Sequence, residues 1–255
     1  MSGSAPPDPA APVILFDLDD TLMAHRAAVS AGLALHMRDL AYEGDAAAAS
    51  GHWHELEEEH YHSYLAGRLS FEGQRRARAR DFALAHGEQL DEIGAGAWFD
   101  RYFERYRESW SLHDDALPAL DAITAAVPGA RFGVITNGEL DFQLAKLDRL
   151  GIGSRFEHVI ASGDVGVAKP DAEIFRIAVA RFAADAPVGA AVYIGDRFIT
   201  DAVGAVRAGL IGVWLNRHGP DASEAMVEAD AAASAVLEIA SLDELPTLLA
   251  TRLTG

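Results

Sequence analysis

The chain contains no cysteine. Disulfides, thiolate zinc sites, iron–sulfur clusters and cysteine nucleophiles are therefore excluded, while the redox compartment stays open. Lysine is almost as scarce, with Lys146 and Lys169 the two examples among 21 basic residues. Positive charge as a whole is short, because those 21 Lys and Arg face 39 Asp and Glu and leave a formal net charge of −18. A protein that binds nucleic acid over its whole surface needs the opposite sign, so nucleic acid is not expected as a partner. No run approaches the ~20 apolar residues that span a bilayer. Residues 1–12 lack both the basic start and the apolar core of a secretory signal. The expectation is a cytoplasmic protein that does not engage a membrane, with residues 1–12 as a disordered tail.

Half of the 255 residues are hydrophobic and 24% are charged, the balance of an ordinary globular chain with a substantial core. At this length one domain with an insertion, or two small domains, is expected. Val13-Ile14-Leu15-Phe16 is a continuous apolar run that stops at Asp17-Leu18-Asp19-Asp20-Thr21. A strand buried on both faces of a parallel sheet reads this way where it emerges. Phe132 to Ile135, Ala191 to Ile194 and Ile211 to Trp214 share the design, and His158 to Ala161 is a further strand candidate. Helical patterns at 139–150, 171–182 and 200–208 alternate with them, and a short strand with a closing helix around 242–253 ends the chain. The fold class is α/β, a doubly wound parallel sheet.

Residues 25–112 break this rhythm. Helical patterns at 26–43, 52–66, 71–86 and 97–110 follow one another with no convincing strand, and a crossover between parallel strands needs far fewer residues. The segment reads as an inserted α-helical cap above the carboxyl edge of the sheet. The core is then 13–24 together with 113–255.

Asp17 and Asp19 stand two apart just past a buried strand, so in extended geometry both side chains project the same way. A solvated loop or a helix cap explains most such pairs, and a cation site is the other reading. Gly195-Asp196 ends another strand, and Asp201 follows near a helix start, where capping is its simplest role. A parallel sheet gathers all these acids on one edge. Three or four carboxylates there repel unless a cation compensates them. A hard divalent ion with oxygen ligands answers that need, and Mg²⁺ suits a site that leaves room for water and a phosphate. Thr136-Asn137-Gly138 offers a hydroxyl and backbone N–H groups at a helix mouth, either an anion site or an ordinary helix start. Lys169 keeps a compact point charge in an arginine-rich chain, and Pro170-Asp171 after it reads as the start of a helix.

Together these residues resemble a known family. Asp17-Leu18-Asp19-Asp20-Thr21-Leu22, Ile135-Thr136-Asn137-Gly138, Gly166-Val167-Ala168-Lys169-Pro170 and Ile194-Gly195-Asp196-Arg197 with Asp201 look like the four ordered motifs of the haloacid dehalogenase (HAD) superfamily. The helical insertion between the first two motifs is similar to the C1-cap subclass. The stretch from Thr136 through Gln143, Lys146-Leu147 and Gly151-Ile152 to Pro170 resembles the pyrimidine 5′-nucleotidase and N-acylneuraminate-9-phosphatase branch.

The resemblance implies a Mg²⁺-dependent phosphatase of a small phosphorylated metabolite, a nucleoside monophosphate or sugar phosphate, acting through an aspartyl-phosphate. It implies Asp17 as nucleophile and Asp19 as the group that protonates the leaving oxygen and then activates water. Mg²⁺ is then held by Asp17, the backbone carbonyl of Asp19 and Asp196, with Asp201 orienting the ligands. Thr136 and the Asn137 N–H bind phosphoryl oxygens, and Lys169 neutralises charge between nucleophile and phosphate. A phosphotransferase or phosphomutase, a 2-haloacid dehalogenase and a catalytically idle binding module are the alternatives. The namesake dehalogenases lack the second Asp of the first motif, so Asp19 argues against that chemistry. Arg197 departs from the Ser that many relatives carry.

In the inserted segment, His52, His54, His60 and His62 are spaced two, six and two apart. One helical face needs three or four, so surface histidines are expected rather than a zinc site. Trp98, Phe99, Tyr102, Phe103, Tyr106 and Trp110 read as cap core, and Arg75, Arg76, Arg78 and Arg80 as a solvated, paired face. His25 and Arg26, just after the first motif, are candidate substrate contacts. A monomer and a homodimer are both compatible with the apolar helices.

Overall fold

The computed structural model describes residues 10–217 and 231–253. From the amino end, β1 (Ala11–Phe16) leads into four helices, α1 (His25–Asp39), α2 (Ala46–Leu65), α3 (Phe71–Ala85) and α4 (Glu92–Glu108). There follow α5 (Ala116–Ala126), β2 (Arg131–Thr136), α6 (Leu140–Arg149), β3 (His158–Ala161), the single turn α7 (Ser162–Val165), α8 (Ala172–Asp185) and β4 (Val188–Gly195). A π-helical turn at Phe198–Val203 runs into α9 (Gly204–Arg207), then β5 (Ile211–Leu215), α10 (Ala231–Ser234), β6 (Leu237–Ile239) and α11 (Leu245–Leu253). The chain divides into two compact units, an α/β unit and a helical unit at His25–Ser111. No helix of the described residues is long and apolar enough to cross a membrane.

In the α/β unit the described strands form one sheet in the order β3-β2-β1-β4-β5-β6, with every pairing parallel. The chain winds outward from β1 to β3 and then returns to place β4 on the other side of β1. Strand order reverses between β1 and β4, and ligands of open α/β sheets bind beyond the carboxyl ends of strands at such a point. Val13 to Phe16 are fully buried, which is why their run is continuous rather than alternating. Val13, Leu15, Ile135, Ile160 and Tyr193 pack on one face against Ile174, Phe175, Ala178 and Phe182 of α8. Gly133 makes that approach feasible, since a Cβ there would stand 2.8 Å from both Leu15 and the Phe182 ring.

Several boundaries differ from expectation. β1 starts at Ala11, which pairs with Val188, so residues 11 and 12 belong to the sheet and not to a tail; residues 1–9 lie outside the described residues. The register shifts between Ala11 and Val13, where Pro12 has no N–H to give the ladder. Leu112 pairs antiparallel with Met23 and belongs to the α/β unit rather than to the inserted segment. α5 was not anticipated, although buried Ala116, Ala119, Leu120 and Ile123 carry its helical period. α1 stops at Asp39, short of residue 43, and Ala41 then takes a left-handed φ of 53°. α2 and α4 begin earlier than their apolar periods, because the side chains of Asp45 and Asp91 cap them by accepting from Ala48 N and Gly94 N.

The helical unit is built around stacked and edge-on rings of Trp53, Phe82, Trp98, Phe99 and Tyr102. Trp110 and Tyr106 are buried with them. The four histidines do not all lie at the surface. His62 is exposed, but His60 is buried and bonds Asp81 at 2.9 Å, a partner on α3 that neighbouring spacing does not show. The arginine run is likewise split. Arg76 and Arg80 pair with Glu92 at the surface, whereas Arg78 is buried against Glu57 and over the Trp53 ring, because its position faces inward on α3.

Candidate active site

Asp17 follows β1, Thr136 ends β2, Asp196 follows β4, and Asp201 lies in the π-helical turn beyond it. Lys169 stands in the loop before α8, whose start Asp171 caps by accepting from Glu173 N. Its ammonium donates to Asp17 Oδ1 at 2.6 Å, to Asp201 Oδ1 at 2.7 Å and to the Tyr193 phenol oxygen at 2.7 Å. Those three bonds match the three protons of an ammonium and fix its direction. Tyr193 in turn donates to the Ile135 carbonyl at 3.0 Å.

The backbone supports this hub from several sides. Asp17 N donates to Ile194 O at 2.8 Å, extending the β1–β4 ladder one residue beyond the strand. Asp20 adopts a left-handed φ of 60°, a conformation that Asp tolerates better than most residues. The tight loop it begins returns Thr21 so that its hydroxyl donates to Asp17 Oδ2 at 3.2 Å. Arg217 braces the same loop, donating to Thr21 O at 3.1 Å while pairing with both oxygens of Asp115 at 2.8 Å. Asn137 exchanges two bonds with the main chain of Lys169, giving from Nδ2 at 3.0 Å and accepting at Oδ1 at 2.8 Å. The N–H of Gly138 is committed to Ser162 Oγ at 2.9 Å, which removes it from the anion site expected of that turn. Thr136 is buried at the end of β2.

Asp201 does more than cap a helix. Its Oδ2 accepts from Arg197 N at 2.9 Å, while Oδ1 meets Lys169 and lies 3.2 Å from the Tyr193 hydroxyl. Because the donor at position 197 is the main chain, the departure from Ser there leaves this bond intact. Gly195 is required beside it, since a Cβ would overlap the Asp201 side chain.

One carboxylate oxygen from each of Asp17, Asp196 and Asp201 lies within 4.8 Å of the others. Burial pushes Asp17 up from 3.8 to about 6; Lys169 opposes the rise, and the nearby Asp201 and Asp19 add to it. Burial likewise holds Asp196 well above the usual carboxylate range, with Asp201, Asp17 and Asp20 reinforcing it. Lys169 moves the other way, its burial outweighed by the carboxylates of Asp17 and Asp201, so it stays protonated. Three carboxylates against one ammonium leave an excess of negative charge in a largely buried site. An all-oxygen donor set with that excess fits a hard divalent cation.

Asp19 is directed elsewhere. Both of its oxygens meet Lys146 Nζ of α6, at 2.6 and 2.7 Å. Lys146, Tyr193 and the Arg217 brace are the site residues that sequence reasoning missed. The scarcity of lysine was a signal for Lys146, whereas nothing distinguishes the Tyr193 hydroxyl inside an apolar strand. His25 and Arg26 begin α1 in the helical unit, where His25 Nδ1 lies 2.9 Å from the Tyr106 hydroxyl and Nε2 lies 3.9 Å from Glu57.

A protein-family model described as haloacid dehalogenase-like hydrolase matches residues 11–209. The chain is 30% identical over 253 residues to the ribulose-1,5-bisphosphate 5-phosphatase of Halopiger xanaduensis, covering 93% of this chain and 98% of that protein. It is 30% identical over 163 residues to the pyrimidine 5′-nucleotidase YjjG of Escherichia coli, covering 59% of this chain and 69% of that protein. Among solved structures, magnesium-bound YfnB of Bacillus subtilis superposes with a TM-score of 0.74 at 21% identity, covering 94% of this chain and 99% of that one. This last likeness is one of fold.

Proposed function

The chain belongs to the haloacid dehalogenase-like hydrolases, and from that premise we propose that it is a Mg²⁺-dependent phosphatase of small phosphate monoesters, working through an aspartyl-phosphate. The observation that carries this reading is the cluster of Asp17, Asp196 and Asp201, two of them bonded to the buried Lys169, at the point where strand order reverses. Relatives named as a sugar-phosphate phosphatase and a nucleotidase support a phosphoric monoester as substrate, with a sugar phosphate or nucleoside monophosphate foremost.

In this reading an Asp17 oxygen attacks phosphorus, the bond from phosphorus to the ester oxygen breaks, and Asp19 gives that oxygen its proton. Asp19 then takes a proton from water as the water oxygen attacks phosphorus and the bond to Asp17 breaks. Lys169 neutralises charge between Asp17 and the phosphoryl group, and the Thr136 hydroxyl with the Asn137 N–H holds phosphoryl oxygens. Asp17, Asp196 and the carbonyl of Asp19 would hold Mg²⁺, with Asp201 orienting them, and the ion supplies charge neutralisation to the phosphoryl oxygens when bound. The helical unit, inserted between the first and second motifs, is read as a C1-type cap spanning His25–Ser111.

A screen of phosphorylated metabolites with and without Mg²⁺ tests the reading. Metal-dependent release of inorganic phosphate from one class of ester is the expected result. Absence of release across sugar phosphates, nucleotides and aryl phosphates overturns it.

A further inference from the structure

α6 buries polar side chains where a helix against a parallel sheet ordinarily buries apolar ones. Gln143, Lys146 and Leu147 form its buried face. A lysine without a partner in such a place is strongly unfavourable, so its position has to be compensated by a specific contact. Lys146 is 2% exposed, and its ammonium reaches both oxygens of Asp19 while lying 4.7 Å from the centroid of the Phe142 ring one turn earlier. A single hydrogen bond leaves a carboxylate able to turn about its terminal bond. Two bonds to one nitrogen set its plane.

The two lysines of the chain therefore divide the Asp17–Asp19 pair between them. Lys169 engages Asp17 and shares itself with Asp201, whereas Lys146 comes from a different helix and takes both oxygens of Asp19. The first contact belongs to the phosphate-binding cluster. The second lies outside it, and the chemistry assigned above gives Lys146 no role.

We infer that Lys146 is a positioning residue: by gripping both oxygens of Asp19 it sets the direction from which that carboxyl group meets the departing ester oxygen and then the incoming water. The inference rests on the phosphatase reading. A compact ammonium suits the task, because its protons converge on one carboxylate without the planar demands of a guanidinium.

The test compares two aryl esters of similar size, 4-nitrophenyl phosphate, whose leaving group departs without a proton, and phenyl phosphate, whose leaving group needs one. With Lys146→Met, kcat/KM for phenyl phosphate falls about 100-fold and that for 4-nitrophenyl phosphate about tenfold or less. The ratio between the two esters therefore rises, and KM changes little. In an Asp19→Asn background the same substitution changes either value by no more than about threefold, because the group it positions is gone. Lys146→Arg restores part of the loss. A purely structural lysine lowers both esters alike, so an unchanged ratio overturns the inference, as does an undiminished loss in the Asp19→Asn background. Should Lys146→Met fail to fold, Lys146→Gln carries the same reading on the same ratio. Wild-type protein that hydrolyses neither ester nor any sugar phosphate or nucleotide removes the phosphatase reading itself, a result visible before any substitution is made.

Discussion

The helical unit holds a half-buried Glu57 against Arg78 and His25, whereas the α/β unit buries Asp17 and Asp201 against Lys169 with a half-buried Asp196 beside them. Burial pushes Glu57 up, but Arg78 and His25 outweigh it and hold the carboxyl well below its usual range. In the α/β unit burial prevails, and Asp17 and Asp196 rise. The chemistry of the side chains is the same in both places. The difference is balance: one carboxylate with a guanidinium is closed, while three clustered carboxylates with one ammonium are left seeking charge. A closed pair holds structure, and an open one recruits a ligand.

Breaking the open cluster at its centre gives the largest effect. Asp17→Asn should lower hydrolysis of an aryl phosphate at least about 1,000-fold, with a melting temperature no lower than that of the parent because a crowded anion has been removed. Initial rates and thermal melts check this together, and near-parental turnover would refute the nucleophile assignment. Breaking the closed pair does the reverse. Arg78→Met leaves the half-buried Glu57 carboxylate with His25 alone and should cost about 2–3 kcal/mol of stability, read from urea unfolding; a loss below 1 kcal/mol, roughly what an exposed pair is worth, would remove the distinction between the two units.

A smaller effect sharpens the role of the acids. Asp196→Ala should raise the Mg²⁺ concentration for half-maximal rate about 10–100-fold, and an unchanged requirement would take Asp196 out of the metal site. The smallest effect is on pH. Asp17 has its folded value raised from 3.8 to about 6, so ionising it costs the folded chain more than the unfolded one. Its contribution to stability is therefore present at low pH and lost as pH rises through about 6. Mg²⁺ binds the ionised form and should raise the melting temperature by a few degrees above about pH 7 and by progressively less below pH 6. A metal-induced shift independent of pH would contradict this.

The sheet was legible because a strand covered on both faces is continuously apolar and ends abruptly; Val13 to Phe16 before Asp17 and Ala191 to Ile194 before Asp196 follow that rule. The acids could be placed at one edge for the same reason. Helix starts were less legible, since Asp45 and Asp91 begin α2 and α4 several residues ahead of the apolar period. Arg78 and His60 were misjudged because a charged residue on an amphipathic helix reads as exposed unless its partner on another helix is known. Lys146 was hidden in the same way, its partner lying 127 residues away in sequence.

Gly195 carries a consequence for the variation this chain can tolerate. The space beside β4 is filled by Asp201 to the point where one added methyl group has no room. Displacing Asp201 would release Lys169 and Tyr193 with it, so a change of a single carbon would propagate across the whole anionic centre. Volume, and not charge, is the narrowest tolerance there: the smallest amino acid guards the position of the most demanding ones.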